Sequence, residues 1–249
     1  MGTVVTIDLF GEDHLSEFHA ARSVDAAERI LREVDEVFST WKPQSPLSRL
    51  RRGELTIAEV PAMVADVLDE CRTAKRLSRG WFDPWSMPGG VDPTGLVKGW
   101  AAQRALEPLR ELALTGALIN AAGDIASFGG PAGGESFRLG IVWPGDLQRL
   151  ACVVESPGAV ATSGTYERGN HLVNPFTGAA VSTASATVTG PELGLADALA
   201  TALAVAGRAG LEFFGSLKDY EGLVIETTNN VYTSDGFAVA ETLLGERPS

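Results

Sequence analysis

Apolar positions recur at helical spacing in the first half of the chain and at strand spacing in the second. Thr3–Phe10 alternates in character and reads as a strand. Over residues 16–38, Val24, Ala27, Ile30, Leu31, Val34, Val37 and Phe38 return at intervals of three and four between charges, which predicts a long amphipathic helix. The Ser/Pro-rich "STWKPQSPLSRL" predicts a loop. Pro61–Leu77 reads as a second amphipathic helix, with Pro61 suited to its first turn. "SRGWFDPWSMPGGVDPTG" is loop again, and a third helix is expected over roughly 93–112, with Asp92 as N-cap and Pro93 at the first helical position.

Further on the period shortens. "ALIN", "FRLGIVW", "ACVVES", "AVATS" and "STASATVTG" read as strands. A greasy helix is expected over Pro191–Ala206 and a shorter one over Leu211–Leu217, before "GLVIET" and "VYTSDGF" close the chain as strands. Helices in a run followed by clustered strands predict an α+β fold with antiparallel sheets rather than a doubly wound one. No linker or tandem repeat divides the sequence. It therefore reads as a single domain over 1–249, with two closely packed α+β lobes as the alternative.

Composition narrows the function classes. The 249 residues are enough for a substantial core. The net charge of −12 argues against nucleic acid as a main partner, because phosphate binding needs a basic face. No window holds about 18 uninterrupted apolar residues, and the first residues lack a basic segment leading into an apolar one. The expectation is a chain without a transmembrane segment, in the cytoplasm unless a leader precedes it. Cys71 and Cys152 lie far apart in apolar surroundings and read as two buried thiols rather than a disulfide; no Cys/His cluster has zinc spacing.

Four stretches could carry chemistry. In "VDPTGLVKGW" a helix N-terminus offers unpaired N–H groups, to which Lys98 adds a full charge; this suits an anion such as phosphate, or is simply a capped surface helix. "INAAGDIASFGG" runs from a strand into small residues, either for close approach to a ligand or as a plain turn. "ATSGTYERGNHLVNPFTG" crowds hydrogen-bonding groups between glycines and holds His171, whereas His14 and His19 lie at an exposed helix start. The order of Ser, His and Asp does not fit a hydrolase triad with an elbow motif. In "ADALATALAV", Asp197 and Thr201 are four apart on one face of an apolar helix. They are either its wet stripe or a pair of hard oxygen ligands suited to Mg²⁺.

Taken in order, these stretches resemble the ApbE family, the FAD:protein FMN transferases. "MGTVVTI" is similar to its opening strand, "FSTWKPQSPLSRL" to its Ser-rich loop, and "GWFDP" to its Gly-x-Phe-Asp segment. "DPTGLVKGW" resembles its Asp-Leu-Gly-Gly-Ile-Ala-Lys-Gly stretch and "NAAGDI" its Asn-x-Gly-Gly-Asp. "ATSGTYERGNHLVNPFTG" and "ADALATAL" resemble its later motifs, so the likeness runs nearly end to end.

The resemblance implies an ApbE-like (T-fold-like) arrangement of antiparallel sheets packed with helices, in a compact variant. It implies Mg²⁺ held by the side chains of Asp197 and Thr201 and the carbonyls of Gly95 and Gly194. It implies FAD contacts from Met1, Trp41, Trp81, Phe82, Asp83, Asp92, Lys98 and His171, with Lys98 and His171 also serving the reaction. The implied reaction joins the FMN half of FAD to a threonine hydroxyl of an acceptor protein as a phosphodiester and releases AMP. FAD hydrolysis and silent FAD binding are the alternatives. The chain departs from the family pattern where Asp83 and Asp92 are nearly adjacent, with the intervening stretch missing, and where "DPTG", "NAAGD" and "NP" replace Asp-Leu-Gly-Gly, Gly-Gly-Asp and Asp-Pro.

Overall fold

The computed structural model describes residues 3–11, 16–131, 134–164, 176 and 183–242. Helices form one layer, a seven-stranded antiparallel sheet the second, and a three-stranded sheet the third. β1 (Val5–Phe10) is an edge strand, and its Val5, Ile7 and Leu9 turn toward the helices. α1 (Glu17–Phe38) buries the predicted stripe at Ala27, Leu31, Val34, Val37 and Phe38. α3 (Ala62–Leu77) buries Val64, Val67, Leu68, Cys71 and Ala74, and α4 (Thr94–Arg110) follows a 3₁₀ turn at Pro84–Ser86.

β2 (Gly116–Ala121), β3 (Asp124–Gly129), β6 (Ala159–Ser163), β7 (Thr183–Gly190), β8 (Glu221–Glu226) and β9 (Val231–Thr233) complete the large sheet, in the order β1-β2-β3-β6-β7-β8-β9. β4 (Arg138–Trp143), β5 (Asp146–Glu155) and β10 (Glu241–Thr242) form the small one. Side chains alternate between the two faces of a strand. Ala117, Ile119, Ala126, Ala159, Ala161, Ala186 and Val188 therefore face the helices. Val160, Leu223 and Ile225 pack on Ile141, Cys152 and Val154 of the small sheet. The helix-facing side chains are mostly alanines, which lets α5 (Leu193–Ala206) settle close to the sheet.

α5 is buried nearly all round, including Leu193, Ala196, Asp197, Leu199 and Leu203. With the 3₁₀ turn Gly207–Ser216 it is long and apolar enough by composition to cross a membrane, but its burial is that of a central helix in a globular core.

Several boundaries differ from the sequence expectation. The Ser/Pro-rich loop contains a short helix, α2 (Pro46–Arg51), because Ser45 Oγ accepts the Ser48 N–H at 3.0 Å and Pro46 suits the first turn. "DIASFG" is a strand, paired with β2 across a tight turn where Ala122 and Gly123 take φ of 52° and 93°. α4 starts one residue later than expected: Pro93 occupies the cap position and Asp92 Oδ1 accepts the Thr94 N–H at 3.1 Å. Pro61 likewise caps α3 rather than entering it. Both cysteines are buried and free.

Candidate active site

α4 and α5 cross antiparallel at small residues. A Cβ added to Gly99 would fall 2.4 Å from the Leu193 carbonyl oxygen and 2.9 Å from Asp197 Cβ, so only glycine permits this approach. Asp197, 2 % exposed, accepts the Gly99 N–H on Oδ2 at 3.0 Å. In an α-helix that N–H is aimed at the carbonyl four residues earlier, here Gly95. Accepting it brings the Asp197 carboxylate alongside the Gly95 carbonyl. One turn along α5, Thr201 Oγ1 lies 3.2 Å from where a Gly95 Cβ would stand, and 3.3 Å from Ser163 Oγ at the end of β6. A carboxylate, a hydroxyl and a carbonyl thus converge at the first turn of α4. They are hard oxygens of the kind Mg²⁺ takes, with room needed for waters or phosphate oxygens. Among the described residues no three His, Cys, Asp or Glu side chains gather as metal ligands. The donor set here holds one carboxylate and otherwise neutral oxygens, and on that chemistry it fits the ion.

Lys98, also in the first turns of α4, reaches the carboxylate of Asp124 at the start of β3. Asp124 is fully buried and its Oδ1 accepts the Thr162 N–H at 3.0 Å. The ammonium read as adding charge near a helix N-terminus is therefore held by a buried counter-charge. Beside it lies a cavity of about 120 Å³ lined by Asp35, Phe38, Trp41, Thr94, Val97 and Lys98. Trp41 is 92 % exposed at its rim.

Phe82 is buried against Gly95, with Cε2 3.2 Å from the position of an added Cβ. Trp81 meets Phe176 edge to face at 4.9 Å. Asp83 and Asp92, both expected to contact FAD, are engaged within the protein: Asp83 Oδ2 with Lys75 Nζ at 2.6 Å, and Asp92 Oδ2 with Arg51 Nη1 at 2.8 Å. The structure thus brings Gly95, Lys98, Asp197, Thr201 and Phe82 together, with Trp41, Trp81, Asp83 and Asp92 around them. Gly194 lies one turn before Asp197 on α5, where an added Cβ would lie 3.3 Å from Trp100 Cα and 3.5 Å from Glu70 Oε2. Partial burial there pushes the Glu70 carboxyl upward, against the opposing effect of Trp100 Nε1, which donates to it at 2.9 Å. Met1 and His171 lie outside the described residues. Asp124, Ser163 and Arg51 were not expected at the site. Their signals were in "NAAGD", "ATSG" and "SRLR", but each depends on a partner distant in sequence.

A sequence model of the ApbE family matches residues 1–89 and 86–224. The chain belongs to the ApbE family. The two matched segments meet at residues 86–89, inside the short connection between Asp83 and Asp92. An FAD:protein FMN transferase of Vibrio cholerae is 28 % identical over 165 residues, which are 59 % of this chain and 46 % of that protein. The aligned part thus spans less than half of that curated relative. The fold is similar to the flavin transferase ApbE from Vibrio cholerae, with a TM-score of 0.80 at 23 % identity over 95 % of both chains. It is also similar to the ApbE protein of Thermotoga maritima, with a TM-score of 0.80 at 20 % identity over 94 % of both. The flavinyl transferase ApbE of Pseudomonas stutzeri has a TM-score of 0.77 at 19 % identity over 94 % of this chain and 93 % of its own. These likenesses agree with the α+β, antiparallel, ApbE-like architecture expected from the sequence.

Proposed function

We propose that this chain is an Mg²⁺-dependent FAD:protein FMN transferase. Family membership and the name of the Vibrio cholerae relative support the reaction class. The observation that carries the site is the meeting of Gly95, Asp197 and Thr201 beside Lys98 at the start of α4. Asp197, Thr201 and the Gly95 carbonyl are the residues that would hold Mg²⁺. Held there, the ion would supply charge neutralisation on a pyrophosphate.

The remaining roles fall to the chain itself. The first turn of α4 presents backbone N–H groups and partial positive charge to the phosphates. Lys98 adds an ammonium whose place is fixed by Asp124. Trp41 and Trp81 offer ring faces to the flavin or adenine, and Phe82, buried against Gly95, backs the start of α4. An acceptor threonine oxygen attacks the phosphorus on the FMN side of the pyrophosphate. A new P–O bond forms as the bridging P–O bond breaks, AMP leaves with the bridging oxygen, and the threonine proton passes to a base. His171 is proposed for that base.

The test is to incubate the purified chain with FAD, Mg²⁺ and an acceptor protein carrying an accessible threonine, and to separate the products. AMP release matched by flavin covalently bound to the acceptor supports transfer. AMP with free FMN and no labelled acceptor assigns FAD hydrolysis instead. Intact FAD that stays tightly bound assigns a binding protein.

A further inference from the structure

The connection Asp83–Asp92, "DPWSMPGGVD", is short and rich in Pro and Gly, and Pro88, Gly89 and Gly90 are exposed. Gly89 and Gly90 take φ of 79° and 104°, so the chain turns here on residues with wide conformational freedom. Its backbone is joined by Asp92 N–H to the Pro84 carbonyl at 2.9 Å and Ser86 N–H to the Asp83 carbonyl at 3.2 Å. Arg51, from the end of α2, engages the same segment with all three guanidinium nitrogens. Nε donates to the Gly89 carbonyl at 3.2 Å, Nη2 to the Pro88 carbonyl at 2.8 Å, and Nη1 to Asp92 Oδ2 at 2.8 Å. Gly90 packs on the Arg51 backbone, where an added Cβ would lie 3.1 Å from the Arg51 carbonyl oxygen. The Arg51 and Asp92 side chains are only 14 % and 17 % exposed, so this pair is largely shielded from solvent. The other oxygen of Asp92 accepts the Thr94 N–H. One carboxylate therefore links the guanidinium to the first turn of α4, which carries Gly95 and leads to Lys98.

We propose that Arg51 is a positioning residue for the flavin site. It clamps Pro88–Asp92 against α2 and so fixes the start of α4 in the arrangement that receives FAD; this rests on the transferase reading of that site. The segment it clamps is the one where the two family-matched stretches meet. A planar fork is suited to this duty because it serves two carbonyls and a carboxylate at once, which a lysine ammonium on a flexible stem does less well.

The experiment compares Arg51→Ala and Arg51→Lys with wild type, using Arg52→Ala as a control. Arg52 faces the surface and pairs with Glu54 and the Pro43 carbonyl. Hydrogen exchange is measured first, without FAD. In Arg51→Ala the hydrogen-bonded amides of Asp92 and Thr94 exchange about tenfold faster or more, while those of α5 keep the wild-type rate, as local rather than global opening requires. Arg51→Lys falls between, and Arg52→Ala matches wild type. In FAD turnover with Mg²⁺, Arg51→Ala raises KM for FAD by about tenfold with a smaller fall in kcat, and Arg51→Lys recovers part of the loss. Wild-type exchange at Asp92 and Thr94 in Arg51→Ala overturns the clamp, as does equal acceleration throughout α5. Faster exchange with an unchanged KM overturns the link to the flavin site. A wild-type chain that leaves FAD intact overturns the transferase reading instead, and the exchange result then decides the clamp alone.

Discussion

Asp197 and Thr201 are the residues on which the metal reading stands or falls. Asp197→Asn keeps an oxygen able to accept the Gly99 N–H but removes the charge; Thr201→Val keeps the shape and removes the hydroxyl. If the pair holds Mg²⁺, whose charge stabilisation is worth several kcal/mol, Asp197→Asn lowers Mg²⁺-dependent FAD turnover by about 10²-fold or more. Thr201→Val has a smaller effect in the same direction. Steady-state AMP release checks both, and wild-type rates in both variants would remove these residues from the site. Cys71 gives an independent test at this scale. It is fully buried, and burial pushes its thiol up to about 12. The thiolate is the reactive form, so at pH 8 the folded chain should leave Cys71 unlabelled by a maleimide that reacts readily after unfolding. The linkage has a definite sign: above about pH 9 the native state keeps a proton that the unfolded chain gives up, so stability falls as pH rises from 9 toward 12. Urea unfolding across that range measures it, and Cys71→Ala should flatten the slope.

Helix α4 shows how an element can be fitted to its neighbour rather than to its own propensity. Gly99 is poor for a helix interior, and alanine there would gain about 1 kcal/mol on propensity alone. The added Cβ would collide with the backbone of Leu193, which cannot rotate away. Overpacking of this kind costs about 1–3 kcal/mol or more, and here the clash is with main chain, at the upper end. Gly99→Ala should therefore lower the urea midpoint despite the better helix former. It should also push the Asp197 carboxylate away from Gly95, so Mg²⁺ affinity falls with stability. A midpoint equal to or above wild type would show that the two helices are not held at this distance.

For the whole molecule, binding acts on the folding equilibrium. A ligand present at 100 times its Kd stabilises the native state by about 2.7 kcal/mol. FAD with Mg²⁺ should therefore raise Tm, and a chelator should reverse the Mg²⁺-dependent part. Asp197→Asn should lose that part while keeping some response to FAD, because Trp41, Trp81 and Phe82 are untouched. Differential scanning fluorimetry read at the tryptophans distinguishes these outcomes, and a Tm indifferent to both ligands would count against the site.

The periodicity of α1, α3 and α5 and the alternation of most strands were written in the sequence, because burying one face dictates which residues stand on it. The pairing of Asp197 with Thr201 was legible for the same reason: residues four apart share a helix face whatever surrounds them. Short elements were less legible. α2 hid in a Ser/Pro-rich stretch because its helix depends on the Ser45 cap, and β3 hid behind a turn whose alanine takes a positive φ. The partners across space were decided by the tertiary structure alone. Lys98 meets Asp124 and Ser163 meets Thr201 only because the sheet order and the crossing of α4 with α5 bring distant segments together, and Arg51 meets Asp92 because the end of α2 packs on the connection that leads into α4. Periodicity records which way a side chain points; what it meets there is set by how the layers pack.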